Sequence, residues 1–138
     1  MPSFLDTNVL LYSIGRSPKE SRKRERALEL LEDDSAALSI QVLQEFYVQA
    51  TRATRKDALP PELAAGLIEA WSRFRVQEMT FSILRAAVRI HRTHRLSFWD
   101  GSIVAAAVAL GCDRIYTEDL NDGQVIEGVE IVNPFAEH

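Results

Sequence analysis

One cysteine, Cys112, is the whole thiol content of the chain, so no intramolecular disulfide can form. Its place between Gly111 and Asp113, at the end of an alanine-rich apolar run, suits a small buried hydrophobe. Long hydrophobic runs are missing as well. The longest, residues 103–110, falls far short of the roughly 18 residues that cross a bilayer, and Met1-Pro2-Ser3 has none of the basic character of a leader. A soluble, cytoplasmic protein is therefore expected. No glycine-rich phosphate loop, Ser-His-Asp set or Cys-x-x-Cys pair is present, so none of those chemistries competes for the site. Histidine is scarce. His91 and His94 have a metal pair's spacing but no acidic or cysteine partner nearby in sequence, and placement in the last turn of a helix explains them better.

Charge of one sign is not in large excess. The 20 acidic and 16 basic side chains leave a net charge of -4, and 13 of the basic ones are arginines. An acidic total argues against non-specific coating of nucleic acid. Any phosphate binding must be local, and arginine, with its bidentate fork, is suited to it.

What the chain does have is a regular alternation of strands and helices. At 138 residues it should be one domain, residues 1–138, burying roughly two thirds of the surface its unfolded form exposes. Phe4-Leu5-Asp6-Thr7-Asn8-Val9-Leu10-Leu11-Tyr12 reads as a strand running into a helix that begins near Thr7, and Gly15-Arg16-Ser17-Pro18 as a turn. A helix is predicted over 19–34 with Ala27, Leu28 and Leu31 as its apolar stripe; the charged cluster Arg22-Lys23-Arg24-Glu25-Arg26 reads as its solvated face. A buried strand over 36–39 leads to Ser39 as the cap of a helix over 40–53, with Val42, Phe46 and Val48 or Ala50 facing the core. Pro60-Pro61-Glu62 opens a further helix to about Phe74. A short strand over 77–79 follows, and Thr80 caps a helix over 81–94. On that helix Ile83, Leu84, Ala87, Val88 and His91 form one face, and Arg85, Arg89 and Arg92 form the other, either a solvated stripe or a set of RNA contacts. A buried helix over 103–110 stops at Gly111, strands follow at 114–117 and 129–132, and a polar loop lies at 118–123. Such alternation predicts an α/β fold, a three-layer α/β/α sandwich around a mainly parallel sheet.

In such a sheet, ligands collect at the carboxyl ends of the strands. Asp6, Glu45, Asp100 and Asp119 all fall at strand ends or helix starts. Each has a simpler reading: Asp6 and Asp100 as helix caps or dipole partners, Glu45 as a surface residue. Together they suggest more. Four carboxylates within several ångströms repel by roughly 4 kcal/mol per close pair at an effective dielectric near 20, so they must share protons or bind cations. Oxygen-only ligands suit Mg²⁺ or Mn²⁺, which can activate water and neutralise charge on a phosphodiester. Setting these four aside leaves 16 acids against 16 bases, so the proposed site accounts for the whole negative excess.

The motifs carrying these acids resemble those of the PIN-domain ribonucleases, in particular the toxin components of VapBC toxin–antitoxin pairs. The matching residues are Phe4-Leu5-Asp6-Thr7-Asn8, then Val42-Leu43-Gln44-Glu45-Phe46-Tyr47, Ser97-Phe98-Trp99-Asp100 with Ser102, and Tyr116-Thr117-Glu118-Asp119-Leu120. The resemblance covers nearly the whole chain. It implies Mg²⁺- or Mn²⁺-dependent endoribonuclease activity on RNA, a cognate antitoxin that blocks the site, and a homodimer with its two sites along a shared groove. By motif position it implies Asp6, Asp100 and Asp119 as metal ligands, Glu45 as a ligand directly or through water, and Asn8 and Thr117 as groups that orient them. Asp122 is a rival to Asp119.

Two other enzyme or signalling families begin with an aspartate after the first strand. A haloacid-dehalogenase-like phosphotransferase wants a second aspartate two residues on, where this chain has Asn8, and a receiver domain wants adjacent acids there. Labelling of Asp6 by acetyl phosphate would favour either. A PIN fold serving only as a binding module is the remaining alternative, against which stands the presence of all four acids.

Overall fold

The computed structural model describes residues 1–136. Six strands form one sheet in the order β3-β2-β1-β4-β6-β5, with helices on both faces, giving the three-layer α/β/α architecture. β1 (Ser3–Leu5) lies between β2 (Ala36–Ser39) and β4 (Arg114–Tyr116), parallel to both; β3 (Arg75–Gln77) extends the sheet beyond β2, and β6 (Val129–Val132) beyond β4. The inner strands are apolar because both faces are covered: Phe4, Ala37, Leu38, Ile115 and Ile131 are inaccessible to solvent.

The helices are α1 (Thr7–Ser13), α2 (Ser21–Glu32), α3 (Ile40–Ala50), α4 (Pro61–Trp71), α5 (Phe81–His94) and α6 (Phe98–Ala109). Their starts follow cap chemistry. Ser39 accepts the Val42 N–H, Thr80 the Ile83 N–H and Ser97 the Asp100 N–H through their side chains. Pro61 opens α4. Among the described residues no helix is long and apolar enough to cross a membrane.

Several boundaries and faces differ from the sequence reading. A 3₁₀ turn over Pro18–Glu20, opened by Pro18 at its first position, replaces the first turn of α2. In α2 it is Leu30 that is buried with Ala27 and Leu31, and Leu28 lies largely outside. α3 stops at Ala50, which is the core residue, while Val48 is exposed. β3 sits two residues earlier than expected, because its pairing with β2 sets Val76 beside Leu38. The buried face of α5 is Ile83, Ala87 and Ile90, with Leu84 and Val88 at its margin. α5 packs chiefly against another helix, α6, so its buried face turns toward α6 rather than following the widest apolar arc.

One strand was not foreseen. β5 (Val125–Ile126) runs antiparallel to β6 through Glu127 and Gly128, whose φ values of 53° and 80° are those a two-residue hairpin turn requires. The Glu127 carboxylate meets Arg89 at 2.7 Å and His94 at 2.8 Å, which ties the hairpin to α5.

Candidate functional site

Asp6 continues the sheet by donating its N–H to the Tyr116 carbonyl, 3.0 Å away, and then begins α1. An ordinary cap accepts from the second or third N–H of its helix. Asp6 instead takes the Thr7 N–H on Oδ1 at 2.7 Å, and its Oδ2 takes the Thr117 hydroxyl at 2.8 Å. The cap and the site are thus the same residue. Thr117 is fully buried at the end of β4, and its Oγ1 also accepts from Asn8 Nδ2 and from the Asp119 N–H, each at 3.1 Å. Asn8 Nδ2 reaches Asp119 Oδ2 at 3.1 Å as well. Asp6, Asn8, Thr117 and Asp119 are one hydrogen-bonded unit.

Glu45 is held from two sides. Its Oε2 accepts the Thr7 hydroxyl at 2.7 Å, and its Oε1 accepts Gln41 Nε2 at 2.9 Å. Gln41 also donates to the Trp99 carbonyl at 3.3 Å, which ties α3 to the first turn of α6, where Asp100 lies. Asp6, Glu45, Asp100 and Asp119 line a single cavity of about 140 Å³ with Asn8 and Gln41 among its other walls. Asp122 does not line it. Its carboxylate accepts the Asn133 N–H at 2.8 Å and braces the loop. Arg85, Arg89 and Arg92 also lie elsewhere, around a shallow hollow on α5.

Burial pushes the Asp6 carboxyl up to about 6, against the hydrogen bonds from Thr117 and Thr7, and the nearby Asp119 and Glu45 charges push the same way. Burial also raises Asp100, against Ser97 and again with help from Asp119 and Glu45. Asp6 and Asp100 thus both feel the charges of Asp119 and Glu45. A folded-state value above the unfolded 3.8 means that Asp6 favours the fold while protonated. That contribution is complete below pH 4 and is lost as pH rises through 6. Urea unfolding of Asp6→Asn and the parent should show the variant gaining up to about 3 kcal/mol relative to the parent between pH 4 and 7, at about 1.4 kcal/mol per unit. A difference that stays flat with pH would contradict it.

The wall chemistry fits a hard cation. All four charged donors are oxygens, and two buried amide oxygens, Asn8 Oδ1 and Gln41 Oε1, have no hydrogen-bond partner. Neither amide can be flipped without turning that oxygen toward another acceptor, on Asp119 or Glu45. Among the described residues, no three His, Cys, Asp or Glu side chains already stand close enough to hold an ion. Thr7 and Gln41 were not singled out from sequence. Gln41 carried a signal, lying one helical turn before Glu45; Thr7 carried none beyond its place between Asp6 and Asn8.

A family model described as PIN domain matches residues 3–123. Solved structures share the fold. A toxin–antitoxin complex from Klebsiella pneumoniae is similar over 96% of this chain and 98% of its own, at 23% identity and a TM-score of 0.69. VapC20 of Mycobacterium tuberculosis, described as a sarcin-ricin loop cleaving toxin, matches over 85% and 89% at 20% identity and a TM-score of 0.66. A DNA-bound VapBC from Salmonella typhimurium matches over 95% and 96% at 22% identity and a TM-score of 0.64. No curated protein matches the chain in sequence.

Proposed function

Because the chain belongs to the PIN domain family, we propose that it is a Mg²⁺- or Mn²⁺-dependent endoribonuclease, the toxin of a toxin–antitoxin pair, acting as a homodimer and silenced by a cognate antitoxin. The observation that carries this reading is the meeting of Asp6, Glu45, Asp100 and Asp119 on one cavity at the carboxyl edge of the sheet. Support for the toxin role is separate: the structural relatives described as toxin–antitoxin complexes or as an RNA-loop cleaving toxin match over most of both chains.

Asp6, Asp100 and Asp119 would hold the ion, with Glu45 holding it directly or through water. Bound there, a divalent cation supplies an acidified water and neutralises charge on the phosphate oxygens. The protein's own part is positioning. Thr117 fixes one oxygen of Asp6, Asn8 fixes Asp119, and Thr7 and Gln41 fix both oxygens of Glu45. The deciding experiment is cleavage of RNA by the purified protein with Mg²⁺ or Mn²⁺, and its loss in excess chelator. A small, partly disordered partner encoded by the neighbouring gene, whose addition stops cleavage, would establish the antitoxin.

Thr117→Val should lower metal affinity and cleavage by about 10- to 100-fold. It keeps the side chain's shape but leaves Asp6 Oδ2 without a donor, the Asp119 N–H without an acceptor and Asn8 Nδ2 with Asp119 Oδ2 as its remaining acceptor. Thr117→Ser, which retains the hydroxyl, should stay within a few-fold of the parent. Isothermal titration with Mn²⁺ beside the cleavage assay checks this. A valine variant with parental affinity would rule out the positioning role.

A further inference from the structure

A second hollow, of about 390 Å³, adjoins the acid cavity and shares Gln41, Glu45, Gln49 and Trp99 with it. Gln41, Glu45 and Gln49 recur every four residues along one side of α3. Gln44 and Val48 widen the strip, and Arg52 closes it just beyond the helix. Facing them is Trp99, in the first turn of α6 and next to Asp100.

Trp99 is 63% exposed. The ring is not loose. Phe98 meets it edge-on at 5.1 Å and 78°, and Phe98 itself packs on the core and against His91. A large aromatic face is thus held in solvent, beside four carboxylates, in a hollow whose lining surface is mainly apolar and whose polar groups are the amides of Gln41, Gln44 and Gln49, the Glu45 carboxylate and the Arg52 guanidinium. An apolar floor with a few polar groups at its margin matches an unpaired nucleobase, which is apolar on its faces and polar at its edge. Every base has a π face to stack, a carboxamide offers both a donor and an acceptor to a base edge, and the hollow falls in the size range of small-ligand sites.

We infer that Trp99 and this hollow form a base-binding subsite, in which one unpaired nucleobase of an RNA strand stacks on the indole, Gln44 and Gln49 meet its edge, and Arg52 meets an adjoining phosphate. The inference rests on the endoribonuclease reading above and adds to it a preference for single-stranded or looped RNA, since a paired base has no free face. The shared walls place the stacked base and the acid cavity within one short segment of strand.

The sequence has two tryptophans, and Trp71 is buried against Phe46, so Trp71→Phe leaves Trp99 as the single reporter. In a Trp71→Phe, Asp6→Asn protein, an unstructured single-stranded RNA oligomer should quench the indole emission, and the same sequence in a duplex should not. With active-site acids intact, Trp99→Ala should reduce kcat/KM for a single-stranded substrate by about 10- to 100-fold, mainly through KM, while Trp99→Phe stays within a few-fold. Gln44→Ala should give a smaller loss of the same kind. If the parent cleaves RNA and Trp99→Ala is equally active, the subsite is refuted and the nuclease reading stands. Loss of a homodimer or of antitoxin binding in Trp99→Ala, with cleavage unchanged, would likewise refute it and seat a protein on the ring. A parent that cleaves no RNA removes both.

Discussion

Asparagine in place of Asp6 or Asp100 should lower RNA cleavage by about a hundredfold or more. Groups that only orient metal ligands are worth about 10- to 100-fold, and these substitutions remove the ligand charge itself. The two variants differ in a useful way. At Asp6 the new amide would meet Thr117 Oγ1, which already accepts from Asn8 and Asp119, so Asp6→Asn disturbs the hydrogen-bonded unit as well as the charge. Asp100 lies at the first turn of α6, outside that unit, so Asp100→Asn isolates the charge. Both should also lose the thermal stabilisation that added Mn²⁺ gives the parent. Full cleavage in either variant would end the four-carboxylate mechanism.

Gly101→Val should unfold the contact between α5 and α6 and abolish activity together with it. A β-carbon on Gly101 would stand 2.9 Å from the Ala87 carbonyl oxygen, 3.0 Å from the His91 nitrogen and 3.2 Å from its Cβ. Two of these neighbours are backbone of a packed helix and cannot swing away. Alanine there gains about 1 kcal/mol of helix propensity against an overpacking cost of about 1–3 kcal/mol, so Gly101→Ala should be destabilising by about 1 kcal/mol. Valine adds two methyl groups and should cost more than about 3 kcal/mol. Because Gly101 follows Asp100, any retreat of α6 also moves a carboxylate, and displacement of about 1 Å can cost about a hundredfold in rate. Gly66, exposed in α4 with nothing within 4 Å of its would-be Cβ, is the control: Gly66→Ala should be stabilising by up to about 1 kcal/mol. Urea unfolding of the three variants checks the order; equal stability for Gly101→Val and the parent would refute it.

Elements with a strong local cause were legible from sequence. Ser39, Thr80 and Pro61 mark helix starts by the chemistry of the side chain or ring itself, and the apolar run over 36–39 could be buried only as an inner strand. Most of what failed depended on partners distant in sequence. The buried face of α5 is decided by α6 and the position of β3 by its register with β2, while β5 rests on a local cause the sequence reading passed over, the Glu127-Gly128 turn at positive φ. At the site the same division holds. Asp6, Asp100 and Asp119 were identifiable because each sits at or just past a junction of elements and Glu45 because its helix follows one, whereas the Thr7 to Glu45 hydrogen bond joins residues 38 apart and left no local trace.

The place of β1 in the sheet bears on when activity can arise during synthesis. Asp6 precedes Thr117, the residue that orients it, by 111 positions, and β1 must pair with β4 before the two meet. The first carboxylate to leave the ribosome thus gains its Thr117 donor only once β4, the fourth of the six strands, has been made, so a chain halted before residue 117 holds Asp6 Oδ2 without that hydrogen bond.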